Sequence, residues 1–218
     1  MPDRGDVAVL GVWRQVLETN RRRWRWPAVK LAQPSLFDEV PDLPEGMTYA
    51  EEIITPAEEN RLAQYIAALP LKPFEFVGGL TGNRRVIFFG FRYDWGAHKL
   101  EPADEIPTPL LGLREQAAAF AHMEPHWLQQ VLVTEYAPGA GIGWHKDRPQ
   151  FDQVIGVSLS APCLFRMRRK INSTWERKSF TAQPRSAYLL SGAARHGWEH
   201  SIPAVQVLRY SVTFRSFR

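Results

Sequence analysis

Short runs of alternating apolar and polar residues dominate the chain after Trp127. Alternation places successive side chains on opposite faces of an extended strand, so that one face of each strand can be buried. The runs are separated by Gly, Pro or Asn clusters, and they are Leu128–Tyr136, Val154–Ser160, Cys163–Arg168, Trp175–Phe180, Ser186–Leu190 and Val205–Phe217. Six or more short strands with turns at this spacing predict a β-sandwich, a jelly roll or a barrel.

Two segments before Trp127 carry apolar residues at helical spacing. In the first, Thr55 is followed by Pro56 and by Glu58, which is the pattern of a capping box, and Pro70 predicts the end of the helix. Thr108 followed by Pro109 predicts the start of a second helix. We expect both helices to pack against the β-rich body, which makes the fold class α+β and mainly β.

Residues 1–43 differ from the rest of the chain. They contain a run of Arg and Trp at 21–26, and a stretch punctuated by prolines follows from Pro27 to Pro44. We interpret 1–43 as a loosely ordered basic extension and linker, and 44–218 as one domain. The alternative for the Arg and Trp run is nucleic-acid binding, since these residue types neutralise phosphates and stack on bases.

The composition excludes several classes of protein. Of 218 residues, 44% are hydrophobic and 12% aromatic, which is enough for a sizeable core and excludes wholesale disorder. The single cysteine, Cys163, excludes an intramolecular disulfide and a CxxC zinc site. No apolar run approaches the roughly 18 residues of a membrane-spanning helix, and the first residues lack the apolar core of a secretory signal. We expect a cytoplasmic protein without a membrane partner, and a monomer.

The charges are segregated along the chain. The net charge is +4, from 27 Lys and Arg against 23 Asp and Glu, and residues 1–30 supply all of it with seven basic and three acidic residues. Residues 31–71 are strongly acidic, whereas residues 161–185 hold seven basic residues and one acidic residue. Such a distribution is compatible with an anionic partner.

One polar pair interrupts the apolar pattern. Alternation puts His145 and Asp147 on the same face of an extended segment, with Lys146 turned away. An imidazole and a carboxylate on one face can bind a metal ion, and two His with one carboxylate are typical of non-haem Fe(II) oxygenases. Such a triad needs a second His from another strand, and His196 and His200 are both candidates. A surface His–Asp pair without a metal is the alternative.

The last strand carries two arginines on one face. Arg209, Ser211, Thr213 and Arg215 share that face, and the residues between them form an apolar face that we expect in the core. Because a guanidinium group binds a carboxylate through two hydrogen bonds, the polar face suits a dicarboxylate in the mouth of a barrel. The alternative is a solvated edge strand.

Together these motifs resemble the AlkB family of Fe(II)/2-oxoglutarate-dependent dioxygenases. His145-x-Asp147, then His200, then Arg209-x5-Arg215 follow the family's order and spacing, and the resemblance covers roughly Met47 to Arg218. The stretch from Pro184 to His200 is most similar to the branch that includes tRNA-modifying members. The resemblance implies a double-stranded β-helix (jelly roll) with flanking helices and an N-terminal nucleotide-recognition lid.

The resemblance also implies roles for individual residues. His145, Asp147 and His200 match the iron ligands. Arg209 matches the arginine that binds the far carboxylate of 2-oxoglutarate, Arg215 matches the second arginine on the substrate side, and Tyr136 matches a tyrosine that hydrogen-bonds the cosubstrate. Two positions depart from the family pattern: Thr134 replaces the Asn of many members, and Pro149 replaces an acid with which the founding enzyme recognises its base.

The segment that matches the family's lid is Phe74–Trp95. A flipped base is held by aromatic stacking and by polar contacts, so Phe91 and Tyr93 are candidate stacking residues. Arg84 and Arg85 are candidate phosphate contacts. Alternation predicts Phe89, Phe91 and Tyr93 on one face, and the alternative is that Val86–Phe91 is a core strand.

The resemblance implies an enzyme that uses Fe(II), 2-oxoglutarate and O2 to demethylate alkylated bases. The expected partner is single-stranded DNA or RNA, including tRNA, and the expected products are formaldehyde, succinate and CO2, in DNA repair or RNA modification. One alternative is an oxygenase of the same fold that acts on a protein or a small molecule. Another is a jelly-roll binding module with a degenerate site.

Overall fold

The structure, a computed structural model, describes residues 42–75, 81–94 and 99–218. Almost all of the predicted extension 1–43 therefore lies outside the described residues. So do Gly78, Gly79 and Trp95 of the predicted lid. Within the described ranges, no helix is long and apolar enough to cross a membrane.

The part of the chain that the structure describes contains thirteen strands and three α-helices. The strands are β1 (Met47–Ala50), β2 (Lys72–Glu75), β3 (Thr81–Phe89), β4 (Phe91–Asp94), β5 (Lys99–Pro102), β6 (Gln130–Tyr136), β7 (Ile142–His145), β8 (Phe151–Leu159), β9 (Cys163–Ile171), β10 (Thr174–Ala182), β11 (Ala187–Leu190), β12 (Glu199–Ile202) and β13 (Arg209–Phe217). The helices are α1 (Pro56–Ala67), α2 (Thr108–Phe120) and α3 (Gly192–Gly197), with one 3-10 turn at Pro125–Trp127.

These strands pair antiparallel in two main sheets. The larger sheet has the order β1-β11-β8-β13-β6-β3-β2, the smaller sheet has the order β10-β9-β12-β7, and β4 pairs with β5 alone. Neighbouring strands are mostly far apart in sequence, as in the jelly roll that the sequence predicts. The predicted mainly β fold class is confirmed.

Both predicted helices are present. Thr55 Oγ1 accepts a hydrogen bond from the Glu58 backbone N–H at 3.2 Å, and Glu58 Oε2 accepts one from the Thr55 N–H at 2.8 Å. This capping box supports the start of α1, as expected. Helix α2 begins at Thr108, with Pro107 rather than a side-chain cap before it.

The larger sheet is buried on both faces, and the site lies on the face that is turned toward the smaller sheet. On one face, residues of α1 and α2 such as Ile66 and Leu110 pack against Val133 and Val212. A second cluster of buried residues joins the opposite face to the smaller sheet. Strand β13 lies between β8 and β6, so its polar face belongs to a central strand and the solvated-edge alternative is wrong.

The predicted shared face of Phe89, Phe91 and Tyr93 is wrong, because the strand ends at Phe89. Gly90 has a φ of +75°, and a Cβ atom there would lie 2.0 Å from the Gln129 carbonyl oxygen. This left-handed turn separates Phe89, which is in the core, from Phe91 and Tyr93 in β4. The core-strand alternative holds for β3 and not for β4.

Candidate metal and cosubstrate site

The smaller sheet brings two predicted ligands together. His145 at the end of β7 pairs in register with His200 of β12, and their ring centroids are 4.2 Å apart. Phe165 of β9 stacks on the His200 ring with a centroid distance of 5.3 Å and an interplanar angle of 13°. His196 lies exposed on α3. The register therefore favours His200 as the partner of His145.

Asp147 completes this cluster and is tied to the last strand. Its Oδ2 lies 3.6 Å from His200 Nε2, and its Oδ1 accepts hydrogen bonds from Arg215 Nε at 3.0 Å and Nη2 at 2.8 Å. Arg215 Nη1 also donates to Gln130 Oε1 at 2.9 Å. Arg215 thus holds the Asp147 carboxylate.

Burial and charge set the protonation states of these groups. Burial, together with nearby His145, lowers the pKa of His200 to about 3. Burial also lowers the pKa of His145. Burial alone would raise the pKa of Asp147, but Arg215 and the two imidazoles outweigh it and hold that pKa well below the usual range. At neutral pH the cluster offers two neutral imidazoles and one ionised carboxylate.

This donor set fits Fe(II). Neutral imidazole nitrogens and a carboxylate are the protonation states in which these side chains bind metals. His145 Nδ1 lies 2.9 Å from the Gly143 carbonyl oxygen, which can only accept, so this nitrogen carries the proton and Nε2 keeps its lone pair. Among the described residues no three His, Cys, Asp or Glu side chains already converge as a metal site. The assignment of these three residues as iron ligands stays a prediction.

Arg209 is the most deeply buried arginine of the larger sheet among the described residues. It is 1% exposed, and its Nη2 donates to Ser158 Oγ at 3.1 Å. Within the described residues, its Nε and Nη1 have no hydrogen-bond partner. Its guanidinium carbon lies 5.0 Å from the centre of the Tyr136 ring. Because a buried guanidinium with unsatisfied donors is unfavourable, this environment fits an anionic ligand such as a carboxylate.

A small chamber of about 40 Å³ lies between the two sheets beside the His–Asp cluster. The polar face of β13 lines it through Ser211, Thr213 and Arg215, in agreement with the predicted alternation. Its other polar lining residues are Arg84, Thr134, Tyr136, His145, Asp147, Tyr188 and His200. All the predicted metal ligands therefore face one chamber, together with Thr134 and Tyr136.

A larger cleft of about 730 Å³ opens outside the chamber. Tyr93 and Arg84, two of the predicted substrate contacts, line it, and so does Pro149; their contact with a substrate stays a prediction. The Arg148 guanidinium lies 3.7 Å from the Tyr93 ring centre, and that of Arg84 lies 4.3 Å from the Phe74 ring centre. His145 and Asp147 line this cleft as well as the chamber. The cleft therefore leads to the predicted ligands.

Two predicted substrate contacts lie elsewhere. Phe91 packs edge-on against Phe217 with a centroid distance of 5.0 Å, because the turn at Gly90 directs it there. Arg85 alternates with Arg84 along β3, so its side chain lies on the opposite face and binds Glu135 at 2.7 Å and 2.9 Å. Neither residue lines the cleft that the structure describes around Tyr93.

Two further residues, Gln130 and Arg195, position the site and were not predicted from the sequence. Gln130 accepts a hydrogen bond from Arg215. Arg195 of α3 donates hydrogen bonds to three backbone oxygens, those of Asp147 at 3.3 Å, of Phe151 at 2.9 Å and of Arg148. Both side chains are at most 3% exposed. Their polarity at buried positions is a signal, but it becomes visible only when burial is known.

Residues 46–215 match the family model of the 2OG-Fe(II) oxygenase superfamily. The chain is 28% identical over 193 residues to the alkylated DNA repair protein ALKBH8 homolog of Arabidopsis thaliana, covering 78% of this chain and 54% of the relative. It is 24% identical over 166 residues to the mouse tRNA (carboxymethyluridine(34)-5-O)-methyltransferase ALKBH8, covering 73% and 24%. The chain thus spans about half the length of the first relative and a quarter of the second.

Two solved structures share the fold. The structure of OsALKBH1 superposes with a TM-score of 0.60 at 13% identity, covering 80% of this chain and 98% of that one. A Pseudomonas putida prolyl-4-hydroxylase gives a TM-score of 0.56 at 13% identity, covering 79% and 93%.

Proposed function

The chain belongs to the 2OG-Fe(II) oxygenase superfamily and, as its motifs predict, has AlkB relatives; we propose that it demethylates alkylated bases in single-stranded nucleic acid. RNA is the favoured substrate, ahead of DNA. One observation carries the proposal: a cleft lined by Tyr93, Trp144 and several arginines leads directly to the predicted iron ligands. Aromatic rings and guanidinium groups are the side chains that hold an extruded base and its phosphates.

The relatives support this substrate class. The Arabidopsis relative is named for repair of alkylated DNA, and the mouse relative for a tRNA nucleoside. A base that is stacked in a duplex cannot enter a cleft that ends at buried ligands, so an unpaired strand costs the least to bind. The cleft volume of about 730 Å³ is that of a pocket for one drug-sized group, which suits a single nucleotide.

Each residue of the site has a part in the proposed reaction. Fe(II), when bound with 2-oxoglutarate and O2, supplies the oxidising chemistry that hydroxylates an N-methyl group, which then leaves as formaldehyde. His145, Asp147 and His200 hold the metal, and Arg215 keeps the Asp147 carboxylate ionised and oriented. Arg209 binds the far carboxylate of 2-oxoglutarate through the donors that have no protein partner among the described residues. The aromatic side chains around the cleft exclude water and orient the base.

The direct test is incubation of the purified protein with Fe(II), 2-oxoglutarate, O2 and a panel of methylated substrates. The panel contains methylated single-stranded RNA, methylated single-stranded DNA, bulk tRNA and a proline-containing peptide, and nucleoside mass spectrometry measures the loss of methyl groups. We expect methyl loss from the single-stranded oligonucleotides and an unchanged peptide. Oxidation of the peptide with all nucleic acids untouched would replace the proposal with the protein-oxygenase alternative.

A pair of variants tests the cleft. Tyr93→Ala removes a ring from the cleft wall, so we expect slower turnover of methylated oligonucleotides with no change in succinate formation when substrate is absent. Tyr93→Phe keeps the ring and is expected to retain activity. Equal activity of the Tyr93→Ala variant and the wild type would exclude Tyr93 from the substrate site.

A further inference from the structure

The outer face of the smaller sheet carries a row of basic and aromatic side chains. Strand alternation turns Phe165 and Met167 of β9 inward, where they are buried, and turns Arg166, Arg168 and Lys170 outward. Trp175 and Arg177 of the adjacent strand β10 share this outward face, as does Trp144 of β7, which lies beyond β12. We call these six residues, Trp144, Arg166, Arg168, Lys170, Trp175 and Arg177, the Trp/Arg face.

The arginines and tryptophans of this face are stacked in a fixed order. The Arg168 guanidinium lies between two indole rings, 4.4 Å from the centre of Trp144 and 4.3 Å from that of Trp175. Glu199 binds Arg168 Nε at 2.6 Å. Arg166 lies 5.0 Å from the Trp144 ring and donates to Ser201 Oγ at 3.1 Å. The stack is therefore held in place before any ligand binds.

The charge of this face is unbalanced. Arg168 and Arg177 lie directly opposite each other in the register of β9 and β10, and like charges at such positions destabilise a sheet. Among the described residues on this face, Glu199 is the one acid, and it is already paired with Arg168. Arg166, Lys170 and Arg177 have no carboxylate partner among the described residues. A bound polyanion would offset this repulsion.

The face also exposes apolar surface. Trp175 is 36% exposed, and Leu164 of β9, on the same face, is 45% exposed. A polyanion without rings would not cover an indole ring, whereas a nucleic acid offers both phosphates and flat bases. Single-stranded nucleic acid is recognised by this combination of a basic track and aromatic rings on which bases stack.

The Trp/Arg face is continuous with the cleft. β7 is the edge strand of the smaller sheet, with His145 facing the chamber while the preceding residue, Trp144, faces outward and also lines the cleft. A strand bound across Trp175, Arg168 and Trp144 would reach the rim of the cleft. This continuity argues for one ligand that occupies both places.

We propose that the Trp/Arg face binds the single-stranded nucleic acid that flanks the reactive base. The proposal rests on the proposed function, and it adds a binding site outside the cleft. Trp175 stacks on a base, Arg166, Lys170 and Arg177 contact phosphates, and Arg168 fixes the two indole rings.

The test is fluorescence anisotropy of a labelled, unmodified single-stranded RNA with the full chain at several salt concentrations. Trp175→Ala is expected to weaken binding about tenfold without changing the salt dependence, since it removes a stacking platform and no charge. Arg177→Gln is expected to reduce the slope of log K against log salt by about 0.7, the contribution of one phosphate contact on a single strand.

Matched variants elsewhere are the controls. Trp127→Ala removes an indole that is 58% exposed and lies before β6, outside this face, and Arg61→Gln removes an exposed charge of α1. Both are expected to bind RNA as the wild type does, and Trp175→Phe is expected to restore most of the lost affinity. Thermal unfolding of each variant checks that its fold is retained.

Three results would overturn the proposal. If Trp175→Ala and Arg177→Gln bind RNA as tightly and with the same salt dependence as the wild type, the Trp/Arg face is not the binding site, and the demethylase function can still hold. If polyglutamate displaces the RNA as effectively as unlabelled RNA does, the face binds acidic chains without stacking. If the wild type binds no oligonucleotide and demethylates none, the proposed function itself fails.

Discussion

At the scale of single residues, the site depends on buried charges that have few protein partners. Arg209 is the clearest case, because its burial is nearly complete while only Nη2 has a protein acceptor among the described residues. The predicted acceptor for the other donors is the far carboxylate of 2-oxoglutarate. The alternation of β13 predicted that Arg209 lies on the face opposite the core residues Tyr210 and Val212, whereas its role toward 2-oxoglutarate is implied by the family resemblance.

Arg209→Ala is expected to raise the concentration of 2-oxoglutarate needed for half-maximal turnover by a large factor. Loss of one partner of a buried, hydrogen-bonded charge pair costs about 2–5 kcal/mol, which corresponds to roughly 30-fold or more. Arg209→Lys restores the charge without the two-pronged geometry and is expected to recover part of the affinity. Titration of 2-oxoglutarate with succinate as the readout measures the effect. An unchanged requirement in the Ala variant would remove Arg209 from the cosubstrate site.

The two histidines near the end of the chain give a second prediction at this scale. His200 faces Asp147 and His145, whereas His196 is exposed on α3. Since loss of even an outer-shell partner costs a metal site about 10–100-fold, His200→Ala is expected to lower Fe(II) affinity by more than about 100-fold, and His196→Ala far less. Metal content after equilibrium dialysis provides the measurement. The reverse order would make His196 the distal ligand.

The remaining site residues could not be predicted from the sequence. Gln130 accepts a hydrogen bond from Arg215, and Arg195 donates one to the Asp147 carbonyl oxygen, and these contacts span 85 and 48 residues of chain. Arg84 and Arg85 are equivalent in the sequence, because alternation does not show which of the two faces the cleft. In the folded sheet Arg84 lines the cleft, whereas Arg85 lies on the opposite face of β3 and binds Glu135.

At the scale of elements, the long strands with clear alternation were predictable, as was the four-residue β11, whereas β7 and β12 were not. β6, β8 and β13 lie at or within a few residues of their predicted bounds. β7 and β12, which carry His145 and His200, have four residues each, too few for a periodic pattern. β12 pairs with the long strand β9 on one side and with β7 on the other, so β7 is positioned through β12. The ligands were therefore predictable as a motif, while the strands that hold them were not.

Gly90 is a single residue whose backbone conformation ends a strand. It ends β3 with a φ of +75°, and a Cβ atom would overlap the Gln129 carbonyl oxygen. Gly90→Ala is therefore expected to reduce the free energy of unfolding by about 3 kcal/mol, through both strain and steric overlap. Gly139→Ala is the matched control, since Gly139 has a φ of +85° with no atom within 4 Å. We expect it to cost about 1 kcal/mol. Denaturant unfolding compares the two variants, and equal costs would contradict the steric account.

At the scale of the whole molecule, the two sheets are joined through the site. The chamber is lined by β6 and β13 of the larger sheet and by β7, β9 and β12 of the smaller sheet. Ligands that bind there contact both sheets, so binding is expected to stabilise the complete fold. Only the assembled jelly roll brings the three predicted metal ligands and Arg215 together.

Fe(II) and 2-oxoglutarate, added without O2, are therefore expected to raise the melting temperature. A ligand at about 100 times its Kd stabilises a protein by about 2.7 kcal/mol. For a chain of this size that corresponds to an increase of about 5–10 °C. Thermal unfolding measured by circular dichroism gives the shift. In the Arg209→Ala variant the contribution of 2-oxoglutarate is expected to fall to about a third or less and that of Fe(II) to remain, and an equal shift in both proteins would contradict the assignment of Arg209.

The central claim is that oxidation of 2-oxoglutarate is coupled to the loss of a methyl group from a nucleic-acid base. The most direct measurement quantifies lost methyl groups, formaldehyde and succinate in one reaction with a methylated single-stranded RNA, for the wild type and for His200→Ala. We expect the lost methyl groups, the formaldehyde and the succinate formed above the substrate-free background to be equal in the wild type, and none of them to exceed background in the variant. Succinate formation with every methylated base intact, or methyl loss that does not require 2-oxoglutarate, would contradict it.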